Sequence, residues 1–167
     1  MIKKHLFLFV FLVLSVVFFG CRKGPDTQFI EGVVTLDGAP VEKATVNFIP
    51  KPTDYDPNDM NRPLLASGFT DEKGYYRLSS VMGGKIGGGT TFGEYAVTIV
   101  KKEQTNKPII KDGKVPANIN KVRPLFKYHV PEKFEKKESS GMELSVSRGK
   151  NRFNFNLKSD GSFEIGP

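Results

Sequence analysis

Short runs in which apolar and polar residues alternate recur along most of the chain. In one of them Val46 and Phe48 alternate with Thr45 and Asn47, the period of two that is typical of a half-buried β-strand. Seven such runs cover residues 29–36, 44–49, 64–70, 75–79, 94–100, 142–146 and 153–157. No segment has a sustained helical period. The pattern therefore predicts an all-β fold, an antiparallel β-sandwich of about seven strands.

Turn-forming residues between these runs predict which strands are neighbours. Asp37–Pro40 separates the first two runs, and Asp71–Gly74 separates the third from the fourth. Gly74 supplies the positive φ that a tight hairpin needs. Residues 148–151 separate the last two runs in the same way. We expect each of these three pairs to form neighbouring strands, the last pair as a terminal hairpin.

Three segments between the runs have the composition of loops. Residues 51–63 contain three prolines and several Asp and Asn residues, which disfavour both helix and central strand. Six of the eleven residues from Gly83 to Gly93 are glycine, so this backbone is costly to order and we expect a flexible loop. Residues 101–127 are rich in Lys and Pro, and they predict a long connecting segment with at most a short extended stretch. Residues 159–167 are interpreted as a C-terminal tail.

The first twenty residues have the pattern of a signal peptide. Lys3 and Lys4 precede an apolar run of 14 residues, whereas a membrane-spanning helix needs roughly 20. The run ends at Cys21, the only cysteine in the chain. The residues Phe18–Cys21 resemble the lipobox of bacterial lipoproteins, in which the cysteine is diacylated. We expect a signal peptide at 1–20, lipidation of Cys21 and a lipidated tether at 21–28; the alternative is an ordinary secretory signal with Cys21 a free thiol.

The expected location follows from this anchor. Two acyl chains hold a protein stably on a membrane, because each buried methylene contributes about 0.8 kcal/mol. Arg22 follows the cysteine at the place where a retention signal would put Asp, so both the cell membrane and the outer membrane remain open. In either case the domain would face the periplasm or the exterior.

Basic residues are concentrated in one part of the sequence. Residues 101–158 hold 15 basic and 6 acidic side chains. In an exported protein, anionic lipid headgroups or an acidic polysaccharide are more accessible partners than nucleic acid. The candidate basic binding surface consists of Lys121, Arg123, Lys127, Arg148, Lys150 and Arg152. The alternative is an ordinary solvated basic face.

Three motifs resemble those of the carboxypeptidase-regulatory-like domains, which are transthyretin-like or prealbumin-like. Ile30–Phe48 resembles their G-x-V-x-x-x-G-x-P-(V/I)-x-x-A-x-V run, Thr70–Leu78 their T-D-x-x-G-x-(Y/F)-x-L hairpin, and Gly93–Ile99 their G-x-Y-x-V-x-(I/V) strand. The closing stretch to Leu157 is similar to small lipoproteins of planctomycete-type bacteria that carry this domain. The resemblance covers residues 29–158 and implies a prealbumin-like sandwich. It implies no chemistry, because the regulatory domain of carboxypeptidases is not the part that binds zinc.

Residues with catalytic potential are scarce. His129 is the only histidine left after removal of the signal, and a single histidine on an apolar strand is more often structural than catalytic. Enzymes related to transthyretin use several histidines and a characteristic C-terminal tetrapeptide, and this sequence has neither. We expect no enzymatic activity and no cofactor.

One acidic stretch has the spacing of a calcium loop. Asp54, Asp56, Asn58 and Asp59 correspond to the first ligands, but no glycine stands at the sixth position and Leu65 stands at the twelfth, where a Glu belongs. An Asx-rich turn is the plainer interpretation, with weak calcium binding as the alternative. The aromatic residues suggest core or rim positions rather than a sugar platform, since the chain has no Trp.

Taken together, these observations predict a non-catalytic lipoprotein whose domain binds or scaffolds at the cell envelope. An envelope protein or an acidic polysaccharide is the expected partner. A ligand-free structural spacer is the main alternative, and a carbohydrate-binding or calcium-binding accessory domain is a further one.

Overall fold

The computed structural model describes residues 24–51, 55–80, 86–105 and 125–167, and about half of them lie in β-strands. The strands are β1 (Thr27–Gln28), β2 (Ile30–Leu36), β3 (Ala39–Pro40), β4 (Thr45–Pro50), β5 (Ala66–Phe69), β6 (Tyr75–Arg77), β7 (Ser79–Ser80), β8 (Thr90–Thr91), β9 (Gly93–Val100), β10 (Lys102–Gln104), β11 (Phe126–Tyr128), β12 (Met142–Val146), β13 (Asn151–Arg152), β14 (Asn154–Leu157) and β15 (Phe163–Gly166). A 3-10 helix (Glu132–Glu135) and the short helix α1 (Lys137–Ser140) precede β12. The predicted all-β fold is confirmed.

Two large sheets form the body of the domain. The β9 sheet has the order β12-β9-β4-β5-β7, and all of its strand pairs are antiparallel. The β2 sheet has β2 at its centre, with β3 and β6 along one edge, β13 and β14 along the other, and β15 outside β14. The β2 sheet is mixed, because β13 and β14 run parallel to β2. β12 ends near the start of β2, where the Gly149 N–H donates to the Gln28 side chain, so β13 and β14 run in the same direction as β2.

One hydrophobic core lies between these sheets. Alternate residues of β2, β4 and β14 are buried, whereas β9 buries five residues in succession, Tyr95–Ile99. The Phe48 ring lies 6.0 Å from Tyr95, 5.9 Å from Phe153 and 6.4 Å from Phe155, measured between ring centroids. Phe134 of the 3-10 helix is fully buried in the same cluster. Large apolar side chains each contribute about 1.5–3 kcal/mol through burial, so the aromatic and aliphatic residues of this core together stabilise the fold.

The predicted neighbours of β2 and of β5 are wrong. The Asp37–Gly38 turn forms as expected, but it pairs β2 with the short β3, and β4 lies in the other sheet. Gly74 has the expected positive φ of 72°. After that turn, however, β6 pairs with β2 rather than with β5, and β7 returns to pair with β5. Tyr76 in β6 places its ring in the core that the two sheets share.

The predicted terminal hairpin is also wrong. β12 pairs with β9, whereas β14 pairs with β2 and β15. The buried residues of both strands face the same core, so the alternating pattern is satisfied although the strands belong to different sheets.

Both predicted ends of the domain require correction. Residues 159–167 are not a tail, because Phe163–Gly166 forms β15 and pairs with β14. Phe163 and Ile165 pack against the core, which explains why this segment is held. At the other end, the predicted tether at 21–28 includes β1, which pairs with β8. Among the described residues, the first strand therefore begins at Thr27 and the last ends at Gly166.

The structure bears on two of the predicted loops only in part. In the glycine-rich segment, Thr90–Thr91 forms β8, while residues 81–85 lie outside the described part of the chain. In the connecting segment at 101–127, β10 and β11 pair with each other, and residues 106–124 lie outside the described part. The predicted signal peptide and the lipidation site Cys21 also lie outside the described part of the chain.

Candidate functional site

Among the residues that the structure describes, the predicted basic residues lie in separate places. Lys121 and Arg123 lie outside the described residues. Lys127 pairs with Glu103 beyond the end of β9, whereas Arg148 follows Val146, which pairs with Gly93 at the start of β9. At about 3.3 Å per residue, the eight residues of β9 separate these positions by about 25 Å. Lys150 shares the loop of Arg148, and Arg152 lies on β13.

The acidic stretch forms Asx turns. Asp54 lies outside the described residues. The Asp56 carboxylate accepts a hydrogen bond from the Asn58 backbone N–H at 2.8 Å, and the Asp59 carboxylate accepts one from Asn61 at 2.8 Å. These carboxylates therefore stabilise local turns. Within the described ranges, no group of three or more His, Cys, Asp or Glu side chains is placed to hold a metal ion.

His129 lies at the surface next to a carboxylate. Its Nε2 is 3.6 Å from Glu103 Oε2, and the Glu103 side chain is 73% exposed. The backbone N–H of His129 donates to Lys101, which continues the β10–β11 pairing. The contact is a surface ion pair when the imidazole is protonated, and the position is consistent with a structural role.

The feature with the most recognition chemistry is a row of charged side chains across the outer face of the β2 sheet. Glu31 of β2 pairs with Arg77 of β6 on one side and with Arg152 of β13 on the other. Because neighbouring strands are about 4.8 Å apart, the Cα atoms of the two arginines are about 10 Å apart. The sheet thus places two arginine residues on strands at either side of one glutamate.

Arg77 is held in a defined orientation. Its Nε donates to the Tyr75 hydroxyl at 2.6 Å, and that hydroxyl donates to Glu31 Oε2 at 2.5 Å. The guanidinium carbon lies 5.3 Å from the centre of the Phe29 ring and 5.5 Å from that of Tyr75, which are cation-π distances. The hydrogen bond to Tyr75 raises the pKa of Arg77, and burial together with the bond to Glu31 raises the pKa of Tyr75. Arg77 is nevertheless 56% exposed, so a charged and oriented group faces solvent.

Amide and hydroxyl groups continue this face along the strands. Asn154 accepts a hydrogen bond from the Val33 N–H at 3.1 Å, and Thr35 donates to Asn156 at 3.0 Å. The term "arginine face" denotes the outward residues Glu31, Val33, Thr35, Tyr75, Arg77, Arg152, Asn154 and Asn156. The β9 sheet differs, because the middle of its outer face carries small neutral side chains such as Asn47, Ser67 and Thr98.

This arrangement is suited to recognition of carboxylates next to hydroxyl groups. Guanidinium groups bind carboxylates through paired hydrogen bonds, and amide side chains both donate and accept. Sequence reasoning identifies Arg152 but misses Glu31, Tyr75 and Arg77. The missed signal is that Tyr75 and Arg77 lie on the same side of a strand whose Tyr76 is buried.

The sequence matches no protein-family model, and no curated protein or solved structure matches it. The resemblance to carboxypeptidase-regulatory-like domains therefore stays a prediction. In the part of the chain that the structure describes, no helix has the length and apolar character needed to cross a bilayer.

Proposed function

We propose that this chain is a non-catalytic lipoprotein of the bacterial cell envelope whose β-sandwich binds an acidic polysaccharide through the arginine face. In this proposal Cys21 carries the lipid, in the cell membrane or the outer membrane, and the domain faces the periplasm or the exterior. The domain is a member of the carboxypeptidase-regulatory-like, prealbumin-like class.

The family assignment is supported by the positions of the motif residues. Gly74 has the positive φ of the motif turn, and Tyr76 and Tyr95 are fully buried core residues. Gly32 lies where the Phe153 carbonyl approaches the backbone too closely for any side chain. The motifs therefore coincide with residues that have defined structural roles.

The binding role is supported above all by the row Arg77–Glu31–Arg152. A polysaccharide with carboxylates along its length can contact both arginines at once, because they lie about 10 Å apart on one flat face. Its hydroxyl groups can bond Glu31 and the amides of Asn154 and Asn156. Binding through exposed charges has the further property that it weakens as salt rises.

The test measures binding of the lipidated protein, in detergent micelles, to polygalacturonate and to neutral dextran. The variant is Arg77→Gln with Arg152→Gln. The matched control is Lys73→Gln with Lys137→Gln, which removes the same charge from two exposed positions that are not part of the face. At up to about 1 kcal/mol for each exposed ionic contact, the arginine variant should bind polygalacturonate about tenfold more weakly.

The control should bind like the wild type, and dextran should bind neither strongly nor in a salt-dependent way. Equal weakening in both double variants would mean that net charge, and not the arginine face, carries the binding. Absence of binding by the wild type at any salt concentration would favour the ligand-free spacer.

A further inference from the structure

The start of the described chain lies against the tip of the loop at residues 55–62. The backbone N–H of Asp26 donates to the Asn61 side chain at 3.0 Å. Gly24–Thr27 and Met60–Asn61 line one open depression. The loop tip is therefore a direct neighbour of the point at which the chain enters the domain.

Covalent geometry places this loop tip close to the proposed anchor. Cys21 precedes Gly24 by three residues. An extended chain spans at most about 3.6 Å per residue, so the lipidated residue lies within about 11 Å of Gly24. The polar headgroup layer on each side of a bilayer is itself about 5–7 Å thick. The domain consequently has little freedom to move away from the membrane that holds its lipid.

The loop tip presents side chains that suit a membrane interface. Met60 is 55% exposed and Tyr55 is 38% exposed. An apolar thioether and an amphipathic phenol are both favourable at the depth of the headgroups.

The loop is held in its shape, which keeps Met60 at the surface. The two Asx turns at Asp56 and Asp59 fix the tip. At the base of the loop the Arg62 carbonyl accepts a hydrogen bond from the Thr91 hydroxyl at 2.7 Å. Met60 therefore cannot reach the core without loss of these bonds.

The end of the domain that carries this loop has both acidic and basic side chains. The loop of Arg148 and Lys150 is joined to this end by a hydrogen bond from the Gly149 N–H to the Gln28 side chain at 2.7 Å. Asp26, Asp56 and Asp59 lie at this end as well. Attraction to anionic lipid is thus offset, and the contact depends on apolar insertion rather than on net charge.

We propose that Met60 and Tyr55 insert into the headgroup region of the bilayer that holds the anchor. The end of the domain that carries their loop then contacts the membrane. The inference rests on the proposed lipid anchor at Cys21. Its consequence is that the strands extend away from the membrane and the arginine face is directed sideways, open to polymers in the envelope.

The absence of Trp from the chain allows a direct test. Met60→Trp is prepared as the full lipidated protein in vesicles of phosphatidylethanolamine and phosphatidylglycerol, some of them with acyl chains brominated near the glycerol. The matched control is Phe69→Trp, because Phe69 is 73% exposed and lies at the far end of β5. The indole emission of the Met60→Trp protein should shift to the blue and should be quenched several-fold more than that of the Phe69→Trp protein, with little change at high salt.

Flotation of the vesicles and the intact mass are recorded with the same samples. Equal quenching at both positions in protein that floats and carries lipid would overturn the membrane contact but leave the anchor intact. Protein that neither floats nor carries lipid would overturn the lipid anchor, and the membrane contact that rests on the anchor would be overturned as well. If Met60→Trp fails to fold, Tyr55→Trp provides the same measurement at the second inserted position.

Discussion

A single methyl group at Gly32 should destabilise the domain strongly. A Cβ atom built on Gly32 lies 1.8 Å from the carbonyl oxygen of Phe153 and 3.0 Å from a ring carbon of Tyr76. A carbon and a carbonyl oxygen normally approach no closer than about 3.3 Å. In Gly32→Ala the connection between β13 and β14 must therefore move by more than about 1 Å.

The hydrogen bonds that this movement breaks set the magnitude. The Phe153 N–H donates to the Glu31 carbonyl at 3.0 Å, and its carbonyl accepts from the Tyr76 hydroxyl at 2.9 Å. Each bond contributes about 1 kcal/mol, and overpacking costs about 1–3 kcal/mol. The expected loss in the free energy of unfolding is about 3–5 kcal/mol, which lowers Tm by about 10–15 °C in a domain of this size.

Urea unfolding followed by circular dichroism, together with scanning calorimetry, measures this loss. Gly166→Ala is the matched control, since Gly166 also lies in a strand but its added Cβ would meet no atom within 4 Å. The control should change stability by less than about 1 kcal/mol. A Gly32→Ala protein within about 1 kcal/mol of the wild type would refute the close approach of Phe153, and with it the parallel register of β13 on β2.

Two further substitutions test other parts of the fold. Tyr95→Phe removes a buried hydroxyl that donates to the Thr91 carbonyl at 2.8 Å and accepts from the Leu64 N–H at 3.2 Å, and it should cost about 1–3 kcal/mol in urea unfolding; no change would contradict the described network. Glu135→Gln tests the ion pair with Lys102, which lowers the pKa of Glu135 below its usual 4.5. A carboxylate whose pKa is lowered in the folded state adds stability above its unfolded pKa. The loss in the free energy of unfolding of this variant should therefore be largest near about pH 7, at most about 1 kcal/mol. The loss should vanish as pH falls below about 4.5. An equal deficit at both pH values would show that the charge of Glu135 contributes nothing.

The longer strands β2, β4, β9, β12 and β14 could be predicted from the sequence, as could the turns at Gly38 and Gly74. Short strands such as β1 and β8, and the sheet to which each strand belongs, could not. Alternation in β12 and β14 shows that one side of each strand is buried, and this holds whether the two strands pair or face each other across the core. The turn at Gly74 likewise indicates that the chain changes direction, but it does not indicate the strand with which β6 pairs. Strand pairing depends on contacts distant in sequence, such as that of β2 with β14, which no local pattern encodes.

The candidate site shows the same limit. Arg152 is identified by its charge alone, whereas Arg77 is important because β6 lies beside Glu31, a pairing that the expected hairpin with β5 excludes. The last strand, in contrast, could have been found. Phe163 and Ile165 alternate with Glu164 after a turn at Gly161, which is a strand signal that the interpretation as a tail overlooks.

The central claim is that the domain works from a lipid anchor at Cys21, and the most direct test compares the wild type with Cys21→Ser. Intact mass and membrane partition are measured for both proteins after expression in a bacterial host. The account predicts that the wild type begins at Cys21, carries a diacylglycerol-sized addition and partitions with membranes, while the variant loses both the added mass and the membrane association. Two soluble proteins without added mass would contradict the anchor and would direct the search to secreted partners.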